Sequence, residues 1–174
     1  MSGILIVITE LELAYLAGVV DSDGSITIGV DKWNRSGGGK AASNPKFFEI
    51  VAVRQCDTEA VHLAQELFGG NITIGKPGSL RGRPSNDWVA YGPRACAVVT
   101  ALMPHLRIKR RQAELILALR EVKDRGRVAN SNRGPGRTST LKPETLAEYK
   151  RITVAVRALN DSRHRDPFAD SISV

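Results

Sequence analysis

The stretch Leu13-Ala14-Tyr15-Leu16-Ala17-Gly18-Val19-Val20-Asp21-Ser22-Asp23-Gly24 constrains this chain more than any other. Leu13, Leu16, Ala17 and Val20 recur at helical spacing and make one apolar stripe. Thr9 and Glu12, just ahead, have the spacing of a capping box, in which each side chain satisfies a free backbone N–H at the helix start. Ala14 and Gly18 lie four apart on an adjoining face, where small side chains let a second helix approach closely. An ordinary core helix explains this spacing but not its ending. Asp21 and Asp23 stand where the helix dipole is unfavourable to anions, and the chain runs directly into alternating Ser25-Ile26-Thr27-Ile28-Gly29-Val30. A helix that delivers a carboxylate to the start of a strand, through a tight turn, suggests a site suited to a metal ion.

Leu16 to Gly24 resembles the signature of the LAGLIDADG homing endonucleases, and Leu13-Ala14-Tyr15 is similar as well. The resemblance implies two copies of the motif helix packed at a two-fold or pseudo-two-fold axis, with the last acid of each reaching a shared cleavage centre. One copy in this chain implies a homodimer, with Leu13, Ala14, Leu16, Ala17 and Gly18 at the dimer interface.

The rest of the chain fits such a protein. At 174 residues it suits one domain, since domains commonly run about 100–150 residues. We expect a single domain over 1–174, with a core of about 9–125 and C-terminal helices over about 141–174. Lys and Arg total 25 against 18 Asp and Glu, a net charge of +7 that favours a polyanionic partner. The apolar start, Met1 to Ile8, lacks a positive leader and is too short to span a membrane. Cys56 and Cys96 have no metal-ligand spacing. The expectation is a soluble, intracellular protein without a membrane segment.

Ser25 to Arg35 reads as a strand with Ile26, Ile28 and Val30 on one face and Thr27, Asp31, Trp33 and Arg35 on the other. A second strand runs from about Lys46 to Gln55, but Phe47-Phe48-Glu49-Ile50-Val51-Ala52-Val53 is apolar on both faces and does not fix which side chains face out. Asp57 is placed to cap a helix that Gly69-Gly70 closes. Two more strands follow, Asn71–Gly75 and Asn86–Tyr91, then a helix bracketed by Pro93 and Pro104. This order is the αββαββα arrangement of the resembling family. It implies an α+β fold: a four-stranded antiparallel, saddle-shaped sheet with helices on one face, plus C-terminal helices. The free face lies in the DNA major groove in such enzymes, where each base pair offers a distinguishable edge. Candidate DNA contacts are Thr27, Asp31, Trp33, Arg35, Lys46, Arg54, Arg81, Arg83 and Asp87.

Leu106-Arg107-Ile108-Lys109-Arg110-Arg111-Gln112 carries four cations in five residues just before a helix expected to end at Asp124-Arg125-Gly126. Single-motif members of the family have a similar Leu-Lys-x-Lys-x-Lys-Gln segment. The match places Arg107, Lys109 and Arg111 on its basic positions and Lys109 in the cleavage pocket, where a cation can stabilise charge on a phosphate. The family also carries a Gln at the end of the second strand, here Gln55, suited to holding a metal-bound water. The catalytic set implied is Asp23, Gln55 and Lys109, with Asp23 and the Ser22 carbonyl as ligands of Mg²⁺ or Mn²⁺. Asp21 is assigned to holding the turn. Ser22 departs from the family's Gly or Ala, and Glu59 replaces a basic residue of some relatives.

Arg127 to Thr140 reads as a loop and Glu144 to Leu159 as a helix. The following Leu-Asn-Asp-Ser segment is similar to one that meets DNA phosphates, which makes Ser162, Arg163 and Arg165 contact candidates. The function implied is a site-specific endonuclease that cuts both strands of a long pseudo-palindromic double-stranded DNA target with a divalent metal. Two other classes stay open on the same scaffold: an intron-encoded maturase bound to its own intron RNA, and a DNA-binding regulator without chemistry.

Overall fold

The structure, a computed structural model, describes residues 9–33, 41–76, 82–130 and 141–161; the side chains of 32–33, 41–44 and 127–130 lie outside that description. Thr9 and Glu12 form the capping box that opens helix α1, Glu10–Ser22. The Thr9 backbone N–H donates to Glu12 Oε2 at 2.8 Å and the Glu12 N–H to Thr9 Oγ1 at 3.3 Å. The chain continues through strands β1, Gly24–Trp33, and β2, Ala41–Gln55, helix α2, Glu59–Phe68, strands β3, Asn71–Ile74, and β4, Asn86–Tyr91, then helices α3, Pro93–Leu102, α4, Arg110–Asn130, and α5, Pro143–Asn160.

All strand pairs are antiparallel, in the order β1-β2-β4-β3. This is the expected α+β architecture with helices on one face. The helices pack on the face formed by Ile26, Ile28, Phe47, Val51, Val53, Trp88 and Ala90, all buried. Trp88 fills the centre of this layer at 1% exposure, and its indole N–H donates to Gly69 O at 2.8 Å, so a large ring is buried with its polar atom satisfied. Gly24 is required by close approach: a Cβ there would stand 2.7 Å from Val20 Cα and 3.1 Å from Ala52 O, both backbone. The motif glycine thereby lets β1 leave α1 directly beneath β2.

Three local expectations are corrected. The first residue of α2 follows Thr58, not Asp57; the Asp57 carboxylate reaches past it to accept the Glu59 N–H at 3.1 Å. β2 begins at Ala41, before the expected Lys46, because β1 supplies partners as far as Trp33 opposite Ala41. Helix α4 runs through Gly126 to Asn130. One glycine costs a helix only about 1 kcal/mol, too little to end it there.

Candidate cleavage site and nucleic-acid interface

At the end of α1 the two acids separate in role. Asp21 is buried, and its carboxylate accepts three backbone N–H groups: Arg107 at 2.7 Å, Ile108 at 3.2 Å and Lys109 at 2.9 Å. The Lys109 ammonium, 2% exposed, donates in return to the carbonyls of Val20, at 2.8 Å, and Asp21. The last turn of α1 holds no basic residue of its own, so this lysine supplies from the start of α4 the cation that a helix C-terminus favours. The turn that Asp21 holds is therefore 107–109. The structure places the Lys109 ammonium against the α1 carbonyls, which need donors at the helix end.

Asp23, by contrast, is exposed. Gln55, at the end of β2, donates its amide N–H to Asp23 Oδ2 at 3.1 Å, so the structure brings these two site residues together. The Ser22 hydroxyl turns back to Val19 O at 3.2 Å. Asp23 lines a depression of about 190 Å³ with Ser25, Ala52, Arg54, Asp87 and Val89, which joins the carboxylate to the open face of the sheet. Asp23 and the nearby backbone offer oxygen donors alone, which fits a hard divalent cation. Among the described residues no group of three His, Cys, Asp or Glu is placed to hold a metal. A larger groove of about 550 Å³, lined by residues of α1 and α2, is rimmed by Glu12, Glu59 and Glu66, the wrong sign for phosphate.

The register lays out the open face row by row. Moving away from Asp23, Arg54 stands opposite Asp87, then Ser25, Ala52 and Val89 align, then Thr27, Ile50 and Tyr91, then Gly29 and Phe48, and last Asp31 opposite Lys46. Thr27, Asp31, Lys46, Arg54 and Asp87 thus lie on the face expected of them. Arg54 and Asp87 bind each other in a fork, Nε to Oδ1 at 2.9 Å and Nη2 to Oδ2 at 2.6 Å. The Arg54 hydrogen bond holds the Asp87 carboxyl below its ordinary range. Arg83, Arg107 and Arg111 are exposed, and Arg111 pairs with Glu114 at 2.8 Å. Arg35, Arg81, Ser162, Arg163, Arg165 and the Trp33 side chain lie outside the described residues. Sequence reasoning missed Phe48, Ile50, Val89 and Tyr91 on this face, since nothing in the doubly apolar β2 segment marked which parity faces out.

The residues expected at the dimer contact divide between two faces of α1. Leu16 and Ala17, at 1% and 0% exposure, are buried in the chain's own core, and Leu13 packs against that core, so the apolar stripe faces the sheet. Ala14 and Gly18 are exposed, in line along α1 with Leu11 at 83% and Tyr15 at 48%.

No family model and no curated protein sequence matches the chain. Solved structures do. I-CvuI, in complex with the I-CreI target in the presence of magnesium with the DNA not cleaved, is 23% identical with a TM-score of 0.61, over 90% of this chain and 86% of that one. I-TnaI, a homing endonuclease, is 14% identical with a TM-score of 0.55 over 87% and 95%. The meganuclease I-SmaMI, bound to uncleaveable DNA, is 15% identical with a TM-score of 0.56, over 82% of this chain but 44% of that one. With the helix-to-strand carboxylate and the β1-β2-β4-β3 sheet already in place, these likenesses establish that the chain has the LAGLIDADG homing endonuclease fold.

Proposed function

We propose that the chain is a homodimeric, site-specific DNA endonuclease that makes double-strand breaks in a long, roughly palindromic duplex target. The observation that carries this reading is Asp23: an exposed carboxylate at the end of the motif helix, oriented by Gln55 and opening onto a free sheet face. One chain supplies a single such carboxylate. A second copy, docked along the exposed stripe Leu11, Ala14, Tyr15 and Gly18, supplies the other and completes a cleavage centre on the two-fold axis. The match to most of I-CvuI but under half of I-SmaMI supports a chain that is one unit of a two-unit enzyme.

Asp23 and the Ser22 carbonyl would hold Mg²⁺ or Mn²⁺, which when bound supplies charge stabilisation and an activated water at the phosphate. Gln55 fixes the carboxylate and orients water. Lys109 and Asp21 are positioning residues that lock the end of α1 against α4. Lys46, Arg83, Arg107 and Arg111 neutralise phosphates, and a symmetric dimer reads two related half-sites.

The test is cleavage of a randomised duplex library with Mg²⁺, with Ca²⁺ in its place, and by Asp23→Asn with Mg²⁺. Double-strand cuts enriched for one site, given only by the unmodified chain with Mg²⁺, are expected. Sequence-selective retention of DNA without cuts means a binding protein, and retention of RNA in its stead means a maturase.

A further inference from the structure

We propose that the reading face selects thymine methyl groups, so that each half-site carries an A·T run of about four base pairs next to the cleavage centre. The inference rests on the endonuclease reading and concerns what the open face recognises.

The middle rows of that face carry Phe48, Ile50, Ala52, Val89 and Tyr91 on β2 and β4, with Ser25 and Thr27 beside them on the edge strand β1. Phe48, Ile50, Ala52 and Val89 are partly exposed and Tyr91 is 50% exposed, while the alternate residues Phe47, Glu49, Val51 and Val53 are buried beneath. Phe48 and Tyr91 pair with ring centroids 6.0 Å apart. Gly29 is the platform that admits them: a Cβ there would meet the Phe48 ring at 2.4 Å and Ile50 Cδ1 at 3.0 Å. Polar rows bound the patch on both sides, Arg54 with Asp87 towards Asp23 and Asp31 with Lys46 at the far end.

Asp23, Ala52 and Val89 line one depression. A duplex that presents a phosphate to Asp23 therefore lies across the apolar rows as well. The one methyl group on the major-groove wall is the thymine C5-methyl, where cytosine carries only a hydrogen; the other groups that tell the bases apart there are donors or acceptors. A G·C pair against Ile50 or Phe48 leaves its polar edge without water or a partner, whereas a thymine methyl is buried favourably. Phe48 to Ala52 spans about 13 Å at roughly 3.3 Å per residue, which matches about four base pairs at roughly 3.4 Å each. The apolar run thus sits between the Arg54 row and the Lys46 row.

The full-length chain is used to select duplexes from a randomised pool in Ca²⁺, and the recovered site is resynthesised with deoxyuridine in place of thymidine in the run. An A·T run is expected, with affinity falling about fourfold for each methyl removed, as the transfer value of one methyl group requires. In Ile50→Ser the fourfold penalty at the facing position is expected to shrink towards none. Equal affinity for thymidine and deoxyuridine sites, a G·C run, or an unchanged penalty in Ile50→Ser would each overturn the inference while leaving the endonuclease reading intact. No saturable duplex binding at all would overturn both.

Discussion

Asp21 and Lys109 bind each other twice: the Asp21 carboxylate accepts the Lys109 backbone N–H at 2.9 Å, and the Lys109 ammonium donates to the Asp21 carbonyl. This reciprocal lock joins α1 to α4 across 88 residues of sequence and fixes the peptide that leads to Asp23. Asp21→Ala leaves three backbone N–H groups without their acceptor, while the Lys109 ammonium keeps the backbone carbonyls of Val20 and Asp21. Hydrogen bonds to a charged group contribute about 1.5–3 kcal/mol, so unfolding in urea should show a loss of about 3 kcal/mol.

Asp23→Asn separates structure from chemistry. The side chain is exposed and asparagine keeps an acceptor for Gln55, so stability should stay within about 0.5 kcal/mol of the unmodified chain, as for most surface changes. Cleavage should be lost. Lys109→Met is expected to show the opposite balance, destabilising by about 2 kcal/mol through unsatisfied α1 carbonyls. Chemical denaturation read beside a cleavage assay distinguishes the two; a Lys109→Met protein of full stability would refute the lock.

Glu49 is wholly buried on the helix side of β2, where Arg120 reaches it at 2.9 Å and Lys123 at 3.1 Å. Removing one partner of a buried ion group costs about 3–5 kcal/mol. Glu49→Gln should therefore lower the thermal midpoint by about 6–20 °C, at about 2–4 °C per kcal/mol for a chain of this size. A smaller change in calorimetry would show that water reaches this cluster.

The Arg54 and Asp87 pair sets a pH limit and a specificity element. Arg54 holds the Asp87 carboxyl below its ordinary 3.8. A depressed carboxyl contributes its stabilisation above that ordinary value and loses it as pH falls through the lower folded one, so the pair persists throughout neutral pH. Its exposed geometry lets solvent screen the pair, so it contributes little to stability. Asp87→Asn frees Arg54 for phosphate, and the log–log salt slope of DNA affinity should steepen by about 0.9 for the added contact. An unchanged slope in a salt titration would place Arg54 away from the duplex.

Gly18→Glu puts a charge on the exposed stripe of α1, where open space surrounds the glycine within the chain. Folding of each copy should be unaffected beyond the helical preference of the residue. Sedimentation should change from dimer to monomer, and double-strand cleavage should vanish with it.

The sequence by itself determined α1, its capping box and its closing acids, because these depend on residues within one turn of each other. It also determined the order of helices and strands, through Gly69-Gly70, Pro93 and the alternation of β1. What only the tertiary structure decided was the parity of β2. A charged Glu49 faces inward there while Phe48 and Ile50 face outward, contrary to any reading by local hydrophobicity. The reason is remote: the cations that make a buried Glu49 tolerable, Arg120 and Lys123, arrive from α4 more than 70 residues later. The division between Asp21 and Asp23 was decided in the same way. Two acids alike in sequence became an internal strut and an exposed carboxylate when the 107–109 turn packed against one and the end of β2 met the other.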